Sequence, residues 1–235
     1  STLIIPIYTQ SILGWTATDA GLLLIPGSIT TAILMPFVGR MIQKGVPQGY
    51  MIAVGFLVFF FFTFWMHNVM TPDTGVEHFY WPLILRGIGL GLLFVPITTL
   101  SLSTLKGKHI GEGAAFTGMM RQLGGSFGIA IITTFITRFS QKHRVDLVSH
   151  LDGSKLEVQQ RIQILQKGFM SKGFSANEAL NKAYQVIDFT VMKQSTVMSY
   201  MDIFLYLGIL FLCCIPIIFL IKKGKNKINP ADAMH

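Results

Sequence analysis

The sequence predicts an α-helical membrane protein, and three observations support this fold class. Of the 235 residues, 51% are hydrophobic and only 13% are charged, whereas soluble domains carry about 25% charged residues. The hydrophobic residues are gathered into long runs, and a spanning helix needs about 20 of them. These runs do not alternate apolar with polar residues, as the strands of a membrane barrel would. Composition therefore excludes a disordered chain and a disulfide scaffold.

Six apolar runs follow one another along the chain. The first, residues 3–13, is about half a span long, and we expect it to be the end of a helix that starts earlier. The other runs are each long enough to cross a bilayer, and they comprise residues 20–38, 51–66, 81–105, 114–136 and 201–221. Only three charged side chains intrude on these five runs: Arg86, Arg121 and Asp202.

Two cysteines, Cys213 and Cys214, are adjacent within the last run. Neighbouring helical cysteines are poorly placed to pair with each other, and the chain has no second ligand pair for zinc. We interpret them as small apolar side chains. We expect no metal and no cofactor.

The basic residues that give the net charge of +8 are concentrated between the runs, which indicates membrane topology rather than nucleic-acid binding. Alternate loops, residues 14–18 and 68–80, contain no Lys or Arg. The other short loops and the C-terminal tail contain eight basic residues: Arg40, Lys44, Lys106, Lys108, Lys222, Lys223, Lys225 and Lys227. Because positive charge marks the cytoplasmic side, we expect a cytoplasmic C-terminus.

Residues 138–197, here called the outer segment, then lie on the opposite side of the membrane. The segment contains two capping-box patterns, Ser154 with Glu157 and Ser175 with Glu178, each followed by apolar residues at helical spacing. Gly173 suits the break between the two helices. We expect an extramembrane helical hairpin, in which the two helices either pack only on each other or also present a docking surface to a partner protein.

Arginine inside a membrane span is costly and is a functional hypothesis by default. Arg86 lies about five residues into its run, where it could instead extend to the interface near Trp81. Arg121 and its neighbour Gln122 lie about a third of the way into the next run. We take Arg86, Arg121 and Gln122 as candidate transport residues, with a structural ion pair as the alternative for Arg121.

Small residues predict where helices approach closely. Gly87 and Gly91 are spaced as in a helix-packing motif. Ala114, Gly118 and Gly125 share one helical face, which would let a neighbouring helix approach or slide.

Proline interrupts three spans, at Pro26, Pro36 and Pro96, where each removes a backbone hydrogen bond and can kink the helix. Such kinks occur both in proteins that open and close and in static bundles. Tyr8 and Gln10 place polar groups at the end of the first run, either lining a cavity or marking the interface.

Residues 124–128 match the G-x-S-x-G pattern of hydrolases, with Ser126 at the nucleophile position. That pattern needs a strand–turn–helix setting and a base within hydrogen-bond reach. None of the six histidines lies well inside an apolar run. We therefore expect no enzyme, with an intramembrane hydrolase as the remaining alternative.

Five strings in this order resemble the C-terminal helix bundle of one transporter family, the fourteen-helix EmrB/QacA group of drug–proton antiporters in the major facilitator superfamily. They are residues 6–10 (PIYTQ), 19–27 (DAGLLLIPG), 36–40 (PFVGR), 86–96 (RGIGLGLLFVP) and 121–125 (RQLGG). The resemblance covers nearly the whole chain. It implies the second six-helix bundle of such a transporter, with its first helix truncated.

Residues 39–45 resemble the cytoplasmic loop motif of that superfamily, with Gln43 in place of the usual acidic residue. The matching positions are Gly39, Arg40, Lys44 and Gly45. The Arg86 string resembles the counterpart of an arginine motif in the first bundle. The family's acidic coupling residues lie mostly in that first bundle.

The resemblance implies proton-driven export of amphipathic or cationic drugs by alternating access, in a bacterial inner membrane. The outer segment resembles that of family members that work with a periplasmic adaptor, a membrane fusion protein, and an outer-membrane channel. The chain would divide into transmembrane helices (1–137), a periplasmic segment (138–197), the last transmembrane helix (198–222) and a basic cytoplasmic tail (223–235). The alternative function is a non-transporting membrane scaffold that presents the hairpin to a partner.

The expected topology can be tested with two reporter fusions. A phosphatase that is active only outside the cytoplasm, inserted after Gly173, should be active, and a fluorescent protein fused after His235 should fold and fluoresce. The reverse pattern at both positions would contradict the assigned orientation.

Overall fold

The computed structural model describes residues 3–72, 74–103, 105, 109–151 and 156–220, with the side chains of residues 219 and 220 excepted. Within these ranges the regular structure is helical and no strand occurs. The helices are α1 (Ile4–Ser11), α2 (Ala17–Leu23), α3 (Ile25–Gln43), α4 (Gln48–Val69), α5 (Glu77–Leu102), α6 (His109–His150), α7 (Leu156–Met170) and α8 (Ala176–Leu220).

Among the described residues, five helical segments are long and apolar enough to cross a membrane: Ala17–Gln43, Gln48–Val69, Glu77–Leu102, His109–His150 and Ala176–Ile218. Each of them includes all or most of one of the five long apolar runs. The all-α membrane fold predicted from those runs is therefore confirmed.

The second apolar run forms two helices rather than one, because the helical hydrogen bonding is interrupted at Leu24. The Thr16 hydroxyl caps α2 by accepting from the backbone amide of Asp19 at 3.1 Å. Pro26 lies in the first turn of α3, where a missing amide proton costs nothing. The far end of α3 is closed by Gly45, whose φ of 87° permits the amide of Val46 to reach the Met41 carbonyl at 3.1 Å.

The bundle is built around α4, which packs against both α5 and α8, while α3 packs on the other side of α5. The run of four phenylalanines in α4 is divided between the core and the surface. Phe59 and Phe62 are buried and Phe61 is about half exposed. Phe62 meets the buried Phe204 of α8 edge-on, with ring centroids 6.0 Å apart.

The backbones of α3 and α5 touch. A methyl group added at Gly27 would lie 2.6 Å from the Leu83 carbonyl oxygen, and one at Gly87 would meet the Gly27 carbonyl oxygen and the Thr30 side chain. The Thr31 hydroxyl donates to the Gly87 carbonyl at 3.0 Å, across the interface. Because lipid supplies no hydrophobic force between helices, this close contact is what holds α3 on α5.

Two of the spans continue as helices beyond their apolar runs. Helix α6 extends to His150, and α8 begins at Ala176, so the expected boundaries at 137/138 and 197/198 fall inside continuous helices. The end of α6 packs along α8, and α7 packs along α8 further out. The extramembrane part therefore has three helical segments where the sequence predicts two.

The tip of the hairpin is built as its sequence predicts. Gly173 turns the chain after α7 with a φ of 93°. The capping box is formed, since Glu178 accepts from the Ser175 amide at 3.1 Å and from its hydroxyl at 2.7 Å. These bonds hold the pKa of the Glu178 carboxyl below its usual range. From Ala176 to the start of the apolar run at Met201, α8 is about 37 Å long.

Several predicted features fall on residues outside the described ranges. They include Ser154 of the first capping box, Lys106 and Lys108 of a basic loop, and the tail 223–235. The orientation of the chain in the membrane remains a prediction.

The contact of α3 with α5 predicts that alanine substitution at two glycines has different effects on stability. Gly87→Ala should lower the free energy of unfolding by about 1–3 kcal/mol, because its methyl group would overlap the Gly27 carbonyl. Gly124→Ala meets nothing within 4 Å and should leave stability unchanged or slightly raised.

Unfolding of both variants in the same detergent or nanodisc measures this difference. Equal stabilities of Gly87→Ala and Gly124→Ala would show that α3 and α5 are not in backbone contact.

Candidate functional site

Arg86 is enclosed by the bundle. Its relative exposure is 4%, and among the residues that the structure describes it is the only charged side chain that is buried. It lies one residue before Gly87, where α5 contacts α3. A side chain enclosed in this way does not extend along the bundle surface to the interface. A charge in apolar surroundings is costly. An arginine at this position therefore either has a function or has its guanidinium satisfied by hydrogen bonds within the bundle.

Arg121 and Gln122 lie elsewhere, on an exposed part of α6. The Arg121 guanidinium carbon is 5.0 Å from the centroid of the Phe94 ring of α5, a cation–π contact. The two intramembrane arginines are therefore not brought into one cluster. One is inside the bundle, and the other is on a helix face that the described residues leave open.

The small-residue face of α6 has no neighbouring helix among the described residues. A methyl group added at Gly118 or Gly125 would meet nothing within 4 Å. No described residue of α6 is buried, and Phe127 on the opposite face is 69% exposed. A gating or packing role for Gly118 and Gly125 stays a prediction. Gly91 of α5, in contrast, faces Leu34 of α3, whose side chain would lie 3.1 Å from an added methyl group.

The candidate prolines occupy different helical positions. Pro36 lies inside α3 and Pro96 inside α5, whereas Pro26 starts a helix. Pro82 in α5 and Pro216 in α8 are also internal, and the sequence reasoning passed over both.

Tyr8 is a fully buried side chain that ties α1 to the rest of the bundle. Its hydroxyl donates to the Thr71 carbonyl at 2.7 Å, in the connection after α4. Its ring meets Tyr200 edge-on at 5.4 Å and packs against Phe79 at 6.4 Å. Gln10, two residues later, is exposed. The two polar groups predicted at the end of the first run thus face different surroundings.

The loop motif lies at the end of α3. Gly39 lies within the helix, and Arg40 is exposed with its guanidinium 5.9 Å from the Phe37 ring centroid. Lys44 is the exposed C-cap residue, and Gly45 makes the turn described above.

Ser126 lies within the continuous helix α6, and its hydroxyl donates to the Gln122 carbonyl at 3.0 Å. The strand–turn–helix that exposes a hydrolase nucleophile is not formed here. The pattern therefore gives no support to a hydrolase.

The outer segment contains a groove of mixed character between α7 and α8, with a cavity volume of about 450 Å³. Apolar residues of both helices face it, namely Val158, Ile162, Leu180, Tyr184 and Ile187. Its lining also includes three glutamines of α7, Gln159, Gln163 and Gln166.

A polar contact between His143 of α6 and Asp202 of α8 was not predicted from the sequence. His143 Nε2 lies 2.7 Å from Asp202 Oδ2, with side-chain exposures of 17% and 33%. Asp202 was noticed as a charge within the last run, but its partner was not. The signal was the length of α6, because a helix that continues past residue 136 carries His143 along α8.

These features define a multi-pass α-helical membrane protein with a buried intramembrane arginine and glycine-mediated helix packing. A family model described as "Major Facilitator Superfamily" matches residues 1–129, more than half of the chain. The chain belongs to the major facilitator superfamily, a family of transporters.

The relatives show that the chain is similar to EmrB-type proteins of that superfamily, which confirms the resemblance. It is 28% identical over 219 residues to the "Fatty acid resistance protein FarB" of Neisseria gonorrhoeae, covering 93% of this chain and 41% of that protein. It is 23% identical over 228 residues to the "Colistin resistance protein EmrB" of Acinetobacter baumannii, covering 94% and 42%. It is 28% identical over 149 residues to the "Multidrug export protein EmrB" of Escherichia coli, covering 63% and 29%.

The chain thus spans less than half the length of these relatives. The matches to FarB and to the colistin resistance protein cover nearly all of this chain, so they include the helices of the outer segment. The family model ends at residue 129, before that segment begins.

The burial of Tyr8 predicts a loss of stability when its hydroxyl is removed. Tyr8→Phe should lower the free energy of unfolding by about 1 kcal/mol, because the hydrogen bond from its hydroxyl to the Thr71 carbonyl is lost. Tyr206→Phe is the matched control, because Tyr206 is 56% exposed. Thermal unfolding of the two variants measures the loss of stability in each. A larger loss of stability in Tyr206→Phe than in Tyr8→Phe would contradict the described packing of α1.

Proposed function

We propose that the chain is one helical bundle of a proton-coupled exporter of amphipathic or cationic compounds. The observation that carries this proposal is the membership in the major facilitator superfamily together with relatives named for multidrug export, fatty acid resistance and colistin resistance. The substrate would bind between this bundle and a second one near the middle of the membrane, and rocking of the bundles would alternate access.

The packing of the bundle supports this mechanism. Alternating access needs bundles that move as rigid bodies, and the backbone contact of α3 with α5 at Gly27 and Gly87 makes these helices one unit. Helix α6 differs, because its small-residue face is open. We propose that this face, with Arg121 and Gln122, borders the path between the bundles, and that Arg86 stabilises the bundle from within.

The proposed location is the inner membrane of a bacterium, with the C-terminus in the cytoplasm. The outer segment would then project into the periplasm. Its helices extend well beyond the apolar runs, since α8 alone is about 37 Å long before it reaches Met201. We propose that this projection contacts a periplasmic adaptor, which in turn joins an outer-membrane channel.

Dye efflux tests the proposed function. The complete product of the gene that encodes this chain is expressed, together with its adaptor, in a host that lacks drug pumps. Efflux of a cationic dye should be fast and should stop when a protonophore collapses the proton gradient. Arg86→Gln should reduce the rate at least about tenfold, because the buried charge is lost while the side-chain volume is roughly kept.

Arg138→Gln is the matched control, because this arginine is exposed on α6. Its efflux should equal that of the unaltered protein at the same membrane level. Efflux that is absent, or that continues with the protonophore present, would refute the antiporter. Full efflux in Arg86→Gln would refute the role of that residue.

A further inference from the structure

His143 of α6 and Asp202 of α8 form the most enclosed ionisable pair between two helices that the described residues show. The atoms in contact are Nε2 and Oδ2, at 2.7 Å. Asp202 is the second residue of the last apolar run. Its charge is therefore close to the apolar layer, where a carboxylate needs a partner.

The distance between Nε2 and Oδ2 determines where the pair can hold protons. Two bare lone pairs would repel at 2.7 Å, so a proton lies between Nε2 and Oδ2. The other ring nitrogen, Nδ1, is then either bare or protonated. With Nδ1 bare, the pair carries one negative charge. When Nδ1 takes up a proton from water, the pair becomes an imidazolium and a carboxylate with no net charge.

The surroundings single out Asp202 as the group that favours this uptake. His67 of α4 is next to it, with Nδ1 2.8 Å from the Met201 carbonyl oxygen. On α6, Arg144 is paired with Asp188 of α8 at 2.6 Å. The other titratable groups nearby on the two helices are Arg138, Lys142, Asp146, Lys193, Tyr200 and Tyr206, and Asp146 is exposed. The cations among them oppose a further positive charge, and Asp202 is the carboxylate in direct contact with the ring that offsets it.

The same pair is one of several contacts that join the second half of α6 to α8. No described residue of α6 is fully buried. Besides the pair, Phe139 stacks on Tyr206 with centroids 5.5 Å apart, and the Ser140 hydroxyl lies 3.3 Å from that of Thr196. A change in the charge of the pair therefore acts directly on the contact between α6 and α8.

We propose that His143 and Asp202 form a proton-binding site at the outer end of the bundle, and that proton uptake at Nδ1 tightens α6 on α8. The location on the outer side rests on the topology given under the proposed function. Uptake of one proton converts a singly negative pair into an ion pair, which strengthens the attraction between the two helices.

Nuclear magnetic resonance of the ¹⁵N-histidine-labelled chain in nanodiscs tests the site, with His143→Gln used to assign the signal. The proton affinity of His143 is read from its imidazole signals as the pH is varied. Asp202→Asn should lower its proton affinity about tenfold, whereas Asp202→Glu, which keeps the carboxylate, should restore most of it. Asp188→Asn, at the exposed pair, should change it by less than about twofold. An unchanged affinity in Asp202→Asn would overturn the site.

The tightening is tested separately by the distance between spin labels on the two helices. The labels replace Val145 and Phe189, which are 68% and 62% exposed, after Cys213 and Cys214 have been changed to alanine. The distance distribution should narrow as the pH falls through the His143 titration, and it should not respond to pH in Asp202→Asn. A distribution that is independent of pH in the unaltered chain would overturn the tightening.

Neither measurement needs substrate or a proton gradient. If efflux fails while the titration depends on Asp202, the transport function is refuted and the proton site stands. If efflux succeeds while the proton affinity of His143 does not depend on Asp202, the proton site is refuted and the transport function stands.

Discussion

The absence of water in the bilayer is the constraint on which this structure depends. Every backbone amide and carbonyl within the apolar layer must be bonded inside the chain, and a helix achieves this without any neighbour. Hydroxyl side chains obey the same constraint. Thr98, Thr133 and Ser126, for example, each donate to a carbonyl four residues back in their own helix. The chain can therefore carry many hydroxyl groups on exposed helix faces in an apolar environment.

Once the backbone is satisfied in this way, helix association depends on how closely two helices can approach. The contact of α3 with α5 is made by Gly27 and Gly87, with the Thr31 hydroxyl bonded across it. The α4–α8 contact uses larger groups, such as Phe62 and Phe204. Helix α6 has neither device from Gly118 to Gly128, since its four glycines in this stretch face no described neighbour. This difference separates the close α3–α5 contact from the first half of α6, none of whose described residues is buried.

The length of the helices links the membrane part to the part outside. Because α6 and α8 do not end at the membrane boundary, the outer segment is joined to the bundle by continuous helices rather than by loops. The His143–Asp202 pair joins these two continuous helices at the second residue of the last apolar run. A proton site at this position and a partner on the hairpin would act on the same element.

The fold class, the five long spans, the capping box at Ser175 and the turn at Gly173 were predictable from the sequence, because run length, capping and positive φ are local properties. The resemblance to EmrB-type transporters was also readable from short strings. Helix packing was needed to show that Arg86 is enclosed while Arg121 is exposed, because both lie in similar apolar runs. It also decided that His143 meets Asp202, since these residues are far apart in the chain and their contact depends on how α6 crosses α8. A sequence pattern gives the face of a helix, but the neighbour of that face is set by packing.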